Sequence, residues 1–154
     1  MNLIEIFSII TKGKVITNKV TVPEGATNLQ IIAILQDKYG IFNDHSILNL
    51  YNEGDLYPST YYYHYGTKIS DLLYRMHLRM KSMLLNEWIK RDVINTKELK
   101  NISDAVILAS IIEKETKCYD EKKYIASIYI NRLKIQMPLQ ADPTLKFAAY
   151  QLPM

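Results

Sequence analysis

Two glutamates close an apolar run in "LASIIEKETKC", Leu108 to Cys118, and they stand two residues apart, at Glu113 and Glu115. A carboxyl group pressed against apolar side chains is disfavoured as an ion and keeps a proton to give. Protonation of a glycosidic oxygen requires such a group. On a helical wheel with Ile111 at zero, Leu108 falls at roughly 60°, Ile112 at roughly 100° and Glu115 at roughly 40°, whereas Glu113 falls at roughly 200°, beside Val106. The spacing therefore predicts that Glu115 shares the inward arc and Glu113 faces away. The carbonyls at a helix C-terminus add to the cost of a negative charge there. The competing reading is a helix that frays after Ile112 and leaves both acids in water.

Paired-carboxylate chemistry needs a second acid in the same cleft. Asp142, with Gln140 two residues before it in the loop "PLQADPT", is the candidate, although Asp-Pro is also a plain turn signal. No seryl nucleophile elbow, phosphate-cradling glycine loop or Cys-His pair competes with these residues. Lys12-Gly13-Lys14 lacks the rest of a phosphate loop. His45, His64 and His77 have no metal-ligand spacing, and the single Cys118 excludes an internal disulfide and a thiolate cluster, so neither a metal nor a cofactor is expected.

The elements that must position these groups are legible in outline. With 154 residues, 48% apolar and 23% charged, the chain has the balance of a globular protein with one core and room for a small extra subdomain. The net charge of +3 is mild and the charges are interspersed, which argues against a nucleic-acid groove. The opening "MNLIEIFSIITKGK" carries Glu5 and no basic start or long apolar core, so it reads as neither a signal peptide nor a membrane span. Apolar spacing predicts a helix from Leu3 to Thr11, a short strand from Lys19 to Val22, and a helix from about Leu29 to Lys38 capped by Thr27 or Asn28.

"YNEGDLYPSTYYYHY", Tyr51 to Tyr65, reads as a loop or short extended segment. Its tyrosines suit either packing between helical parts or a sugar-facing wall. A long helix follows from Lys68 to about Arg91, with methionines that fill core. A further helix starts at a Ser103 cap with Asp104 in its first turn and runs to about Glu115, and another runs from Asp120 or Glu121 to Leu133 or Lys134. "IQMPLQADPT" then breaks regular structure at Pro138 and Pro143. The fold class expected is α+β, mainly helical, with a small N-terminal α/β unit.

"LASIIEKETKCYDEKKYIASIYINRLKIQMPLQADPT", Leu108 to Thr144, resembles the signature of the endolytic murein transglycosylase family, also called MltG or YceG-like. That family shows an Ala-Ser-Ile-Ile/Val-Glu-Lys-Glu-Thr helix, a Val-Ala-x-Val-Phe-x-Asn-Arg-Leu helix and a Met-x-Leu-Gln-x-Asp-Pro-Thr loop. Upstream, "EGDLYPSTYYY" is similar to its Glu-Gly-x-Leu-x-Pro-x-Thr-Tyr segment, and "VTVPEGATNLQIIAIL" to the strand, turn and helix before it.

The resemblance implies a membrane-anchored enzyme that cuts nascent peptidoglycan glycan strands outside the cytoplasmic membrane, with a lysozyme-like helical core. It divides the chain into a LysM-like α/β remnant, residues 1–45, and a partial catalytic domain, residues 46–154. The family's essential glutamate falls on Glu115, acting as acid and then base, without cofactor or metal. Asn131 is implied to bond the substrate or to hold the Glu115 helix, and suits a structural amide equally. Gln140 and Asp142 are implied to line the saccharide cleft, Glu53, Tyr57 and Tyr61 to close it from the other side, and Ser110 and Thr116 to support the catalytic helix. Arg132 suits an ion pair or a substrate contact equally.

Partners implied are glycan strands and the cell-wall synthesis machinery. The family's membrane helix and its segments beyond the Asp-Pro-Thr loop have no counterpart in this chain, which therefore resembles a family member truncated at both ends. Two other readings stay open beside the enzyme. One is an inactive wall-binding or interaction fragment, and the other a helical domain that pairs with a separately encoded remainder.

Overall fold

The computed structural model describes residues 2–11, 13, 15–44 and 50–151. His45, one of the three histidines weighed above, lies outside the described residues. The chain forms two units: Met1–Tyr51 with Pro58–Arg75, and Asn52–Tyr57 with Met76–Met154.

The first unit contains helix α1 (Leu3–Thr11), strand β1 (Thr17–Thr21), helix α2 (Asn28–Gln36), strands β2 (Ile41–Phe42), β3 (Thr60–His64) and β4 (Thr67–Lys68), and the start of helix α3 (Ile69–Lys90). β1 pairs antiparallel with β3, setting Val20 opposite Tyr61 and Asn18 opposite Tyr63; β2 pairs in parallel with β4. Alternation along β3 buries Tyr61 and Tyr63 and turns Tyr62 and His64 outward, the period-two pattern of a half-buried strand. Two of the clustered tyrosines are thus core residues, and the extended reading of their segment holds from Thr60 to His64.

α2 begins as its sequence predicts. Thr27 accepts from the Gln30 amide at 3.3 Å, and Gln30 reaches back to the Thr27 amide at 3.0 Å, a reciprocal capping box. Ile31 and Leu35 of α2, with Ile69, Leu72 and Leu73 of α3, are buried.

In the second unit, α3 continues and is followed by α4 (Ile102–Glu115), α5 (Tyr119–Lys134) and α6 (Asp142–Gln151). The cap of α4 is Asn101, not Ser103: the Asn101 side chain accepts from the Asp104 amide at 2.9 Å, while Asp104 accepts from the Lys100 amide at 2.8 Å. The chain enters one residue pair earlier than the hydroxyl suggested, because an asparagine accepts the same bond.

Leu108, Ile111, Tyr129 and Ala141 form the buried cluster among α4, α5 and the segment before α6, with Leu99, Ile112, Ile125, Ile130 and Leu139 packed against it. Each fully buried aliphatic here contributes roughly 1.5–3 kcal/mol relative to exposure. The Asn52–Tyr57 segment carries Gly54 at φ +90°, where an added Cβ would meet Cγ1 of Val106 on α4 at 2.9 Å.

The break expected at Pro138 holds, since residues 135–141 form neither helix nor strand, but the one expected at Pro143 does not. α5 ends in a left-handed residue, Gln136 at φ 56°, with the Met137 amide donating to the Arg132 carbonyl at 2.8 Å and the Gln136 amide to that of Leu133 at 3.1 Å. This is a Schellman closure with glutamine in the usual glycine place. Asp142 then opens α6, and Pro143 sits in its first turn, where a missing amide hydrogen costs nothing. The architecture is α+β, with a mainly helical core and two small open two-stranded sheets. Among the described residues no helix is long and apolar enough to cross a membrane.

Candidate active site

Glu113 and Glu115 end α4 on different faces, but not as the wheel predicted. Glu113 is half-buried and meets Nζ of Lys122, on α5, at 2.5 Å. Glu115 is exposed, and its Oε1 accepts a hydrogen bond from the Tyr129 hydroxyl at 2.7 Å. The expectation that Leu108, Ile111 and Ile112 desolvate Glu115 is therefore corrected. As the last residue of α4 it has no following turn to cover it, and its polar end reaches a buried phenol instead.

Tyr129 is 5% exposed and belongs to the apolar cluster on α5. Its hydroxyl is held in the protonated form, with a pKa pushed up from 10.0 to about 12, first by burial, then by the hydrogen bond to Glu115 and that residue's charge, with Arg132 opposing. The phenol is thus a donor at any physiological pH. Its partner is Glu115, the carboxylate on which the resemblance places the family's essential glutamate.

One helical turn on, Arg132 places its guanidinium 6.0 Å from the Tyr129 ring centroid and donates through Nη1 to the Leu139 carbonyl. That bond ties α5 to the segment in which Gln140, at φ 52°, turns left-handed, Ala141 is buried, and Asp142 starts α6. α5 consequently holds both walls of an open cleft of about 330 Å³, lined by Glu115, Ile125, Ile128, Tyr129, Arg132, Gln140 and Asp142.

Of the residues singled out in the sequence, Glu115, Gln140 and Asp142 are brought together on this cleft. Asn131 is exposed on α5, and its carbonyl accepts from Ile135. The Ser110 hydroxyl donates to the Ile107 carbonyl within α4 at 2.8 Å, and that of Thr116 donates to Glu121 at 2.6 Å while accepting from the Cys118 amide. Thr116 thereby shapes the α4–α5 connection just after Glu115. Glu53 is exposed in the same unit as the cleft, and Tyr57 there packs beneath the Arg79 guanidinium at 4.9 Å. Tyr61 belongs to the other unit, buried in β3.

Tyr129 was missed. The signal was present: a tyrosine four residues after Ile125 on an apolar helix face carries a hydroxyl that needs a partner once buried. Among the described residues no group of three His, Cys, Asp or Glu side chains is placed to hold a metal ion.

The chain is 35% identical over 98 residues to the endolytic murein transglycosylase of Bacillus subtilis (strain 168), a stretch covering 63% of this chain and 26% of that protein. It is 32% identical over 100 residues to the proteins of the same name from Streptococcus pneumoniae strains ATCC BAA-255 / R6 and D39 / NCTC 7466, covering 65% of this chain and 17% of each. The matched stretch thus spans about a quarter of one relative and about a sixth of the others. The model of the YceG-like family takes in residues 1–153, and with that match the chain belongs to the YceG-like family.

Proposed function

We propose that this chain provides the cleft of an endolytic transglycosylase acting on peptidoglycan glycan strands, with Glu115 as its acid and base. The observation that carries the reading is the meeting of Glu115, Gln140 and Asp142 on one open cleft, with Glu115 anchored by a buried donor. Family membership and the printed name of the relatives support the substrate class.

In this reading Glu115 protonates the oxygen between N-acetylmuramic acid and N-acetylglucosamine. The carboxylate then takes the proton of the muramyl C6 hydroxyl, whose oxygen closes a 1,6-anhydro ring on C1. One residue serves both steps, so Asp142 need not be a second catalytic acid. Its place at the opening of α6, beside Gln140, suits hydrogen bonding to sugar hydroxyls. Asn131, Glu53 and Tyr57 are further substrate contacts in this proposal, Tyr61 is a core residue of the first unit instead, and Ser110 and Thr116 steady the end of α4. Residues 46–154 are the partial catalytic domain with a lysozyme-like helical core, residues 1–45 a LysM-like piece, and the working location is the outer face of the cytoplasmic membrane.

The test is incubation of the chain, and of Glu115→Gln, with uncrosslinked glycan strands, with products read by mass spectrometry. Internal fragments ending in 1,6-anhydromuramic acid, absent with the variant, are expected. Strand binding without cleavage by the folded chain overturns the catalytic reading in favour of a wall-binding fragment.

A further inference from the structure

Tyr129 is the one cleft residue whose hydroxyl is placed on Glu115 itself, and its geometry says more than that the two touch. The ring is buried in the cluster with Leu108, Ile111 and Ala141, so the hydroxyl is fixed by packing rather than by a flexible stem. It meets Oε1 at 2.7 Å, and it can only donate there, because a carboxylate oxygen accepts. A glutamate at the exposed end of a helix otherwise samples several rotamers.

We propose that Tyr129, a tyrosine where the pattern Val-Ala-x-Val-Phe-x-Asn-Arg-Leu has phenylalanine, is a positioning residue particular to this chain for the reaction assigned to Glu115: its hydroxyl holds Oε1 and leaves Oε2 as the oxygen that carries the proton. The inference rests on the acid–base reading of Glu115 and deepens it. In the first step the proton on Oε2 passes to the glycosidic oxygen, and the bond from muramyl C1 breaks with its electron pair left on that oxygen. In the second, Oε2 takes the proton of the C6 hydroxyl as that oxygen bonds to C1. The carboxyl group returns to its starting state, and no water is consumed. Throughout, the Tyr129 proton stays on the phenol, consistent with its pKa near 12. A phenol also serves both forms of its partner, bonding the carboxylate more tightly and the neutral acid at its carbonyl oxygen.

Two measurements on the full chain test this. The first compares Tyr129→Phe with the unaltered chain in steady-state strand cleavage, kcat and KM being read separately. Loss of the hydroxyl is expected to lower kcat about 10- to 100-fold with KM within about twofold, the cost of a loosely placed reacting group.

The second measurement follows tyrosine ring-carbon NMR signals during alkaline titration, with Tyr129 assigned by its absence in Tyr129→Phe. It should titrate near 12 in the unaltered chain and distinctly lower in Glu115→Gln. An unchanged kcat in Tyr129→Phe overturns the positioning role and leaves the acid–base reading standing. An unaltered chain that cuts no strands overturns that reading, and the positioning role with it. A Tyr129 titration indifferent to Glu115→Gln overturns the contact on which the proposal is built.

Discussion

The two faces of the last turn of α4 hold the same side chain in opposite company. Glu113 meets a cation, Lys122, at 2.5 Å; Glu115 meets a neutral donor, Tyr129, at 2.7 Å. An ammonium group adds charge attraction to its hydrogen bond, so a glutamate paired with one loses that attraction whenever it gains a proton. A phenol hydroxyl bonds a carboxylate and, less tightly, the carbonyl oxygen of the neutral acid, so the residue beside it keeps a partner in either state. In the proposed reaction the partner, more than the depth, is what sets Glu115 apart from Glu113 as the proton carrier. The half-buried acid makes the structural clamp, and the exposed one occupies the cleft.

The comparison breaks most decisively if the two acids prove interchangeable. Glu115→Gln should lower strand cleavage by at least about a thousandfold, whereas Glu113→Gln should leave kcat within about threefold, measured on the same glycan strands. Arg132→Met should come next. Without the guanidinium bond to the Leu139 carbonyl, the segment carrying Gln140 and Asp142 loses its tie to α5, and kcat/KM should fall about tenfold, chiefly through KM.

The smallest effects are on stability. Tyr129 holds its proton more tightly folded than unfolded, with a pKa of about 12 against 10.0. Its contribution is therefore full below pH 10 and is lost as pH climbs toward 12. Urea midpoints measured across that window should fall more steeply for the unaltered chain than for Tyr129→Phe. On the other face, Lys122→Met should cost about 1 kcal/mol or less at pH 7, the usual worth of a partly exposed pair.

Much of this frame was legible from the chain alone, for reasons visible at particular residues. α1, α2, α3 and α5 follow from apolar spacing, and the Thr27 box from a hydroxyl three residues before a glutamine. Glu115, Gln140 and Asp142 were picked out together, and the fold brings them to one cleft.

The errors share a cause. A wheel treats every residue of a helix as equally covered, so it set Glu115 inward, although a terminal residue has no turn beyond it. A proline read as a breaker hid α6, although Pro143 sits where a helix accepts one. Tyr129 escaped because its partner is 14 residues away, and α5 must pack on α4 before a phenol and a carboxylate can meet. Long-range partners of this kind come from tertiary packing, which local spacing does not encode.

A map of every single substitution in this chain would show an abrupt wall at Gly54. At φ +90°, with Cγ1 of Val106 at 2.9 Å from where a Cβ would stand, even alanine has to push the Val106 methyl aside and take up a strained left-handed backbone. Val106 lies nine residues before Glu115 on the same helix, about 13 Å along a rod with little give. Mutational drift in the Asn52–Tyr57 segment is therefore fenced by a steric stop, and a change there can reach the end of α4 without touching the cleft.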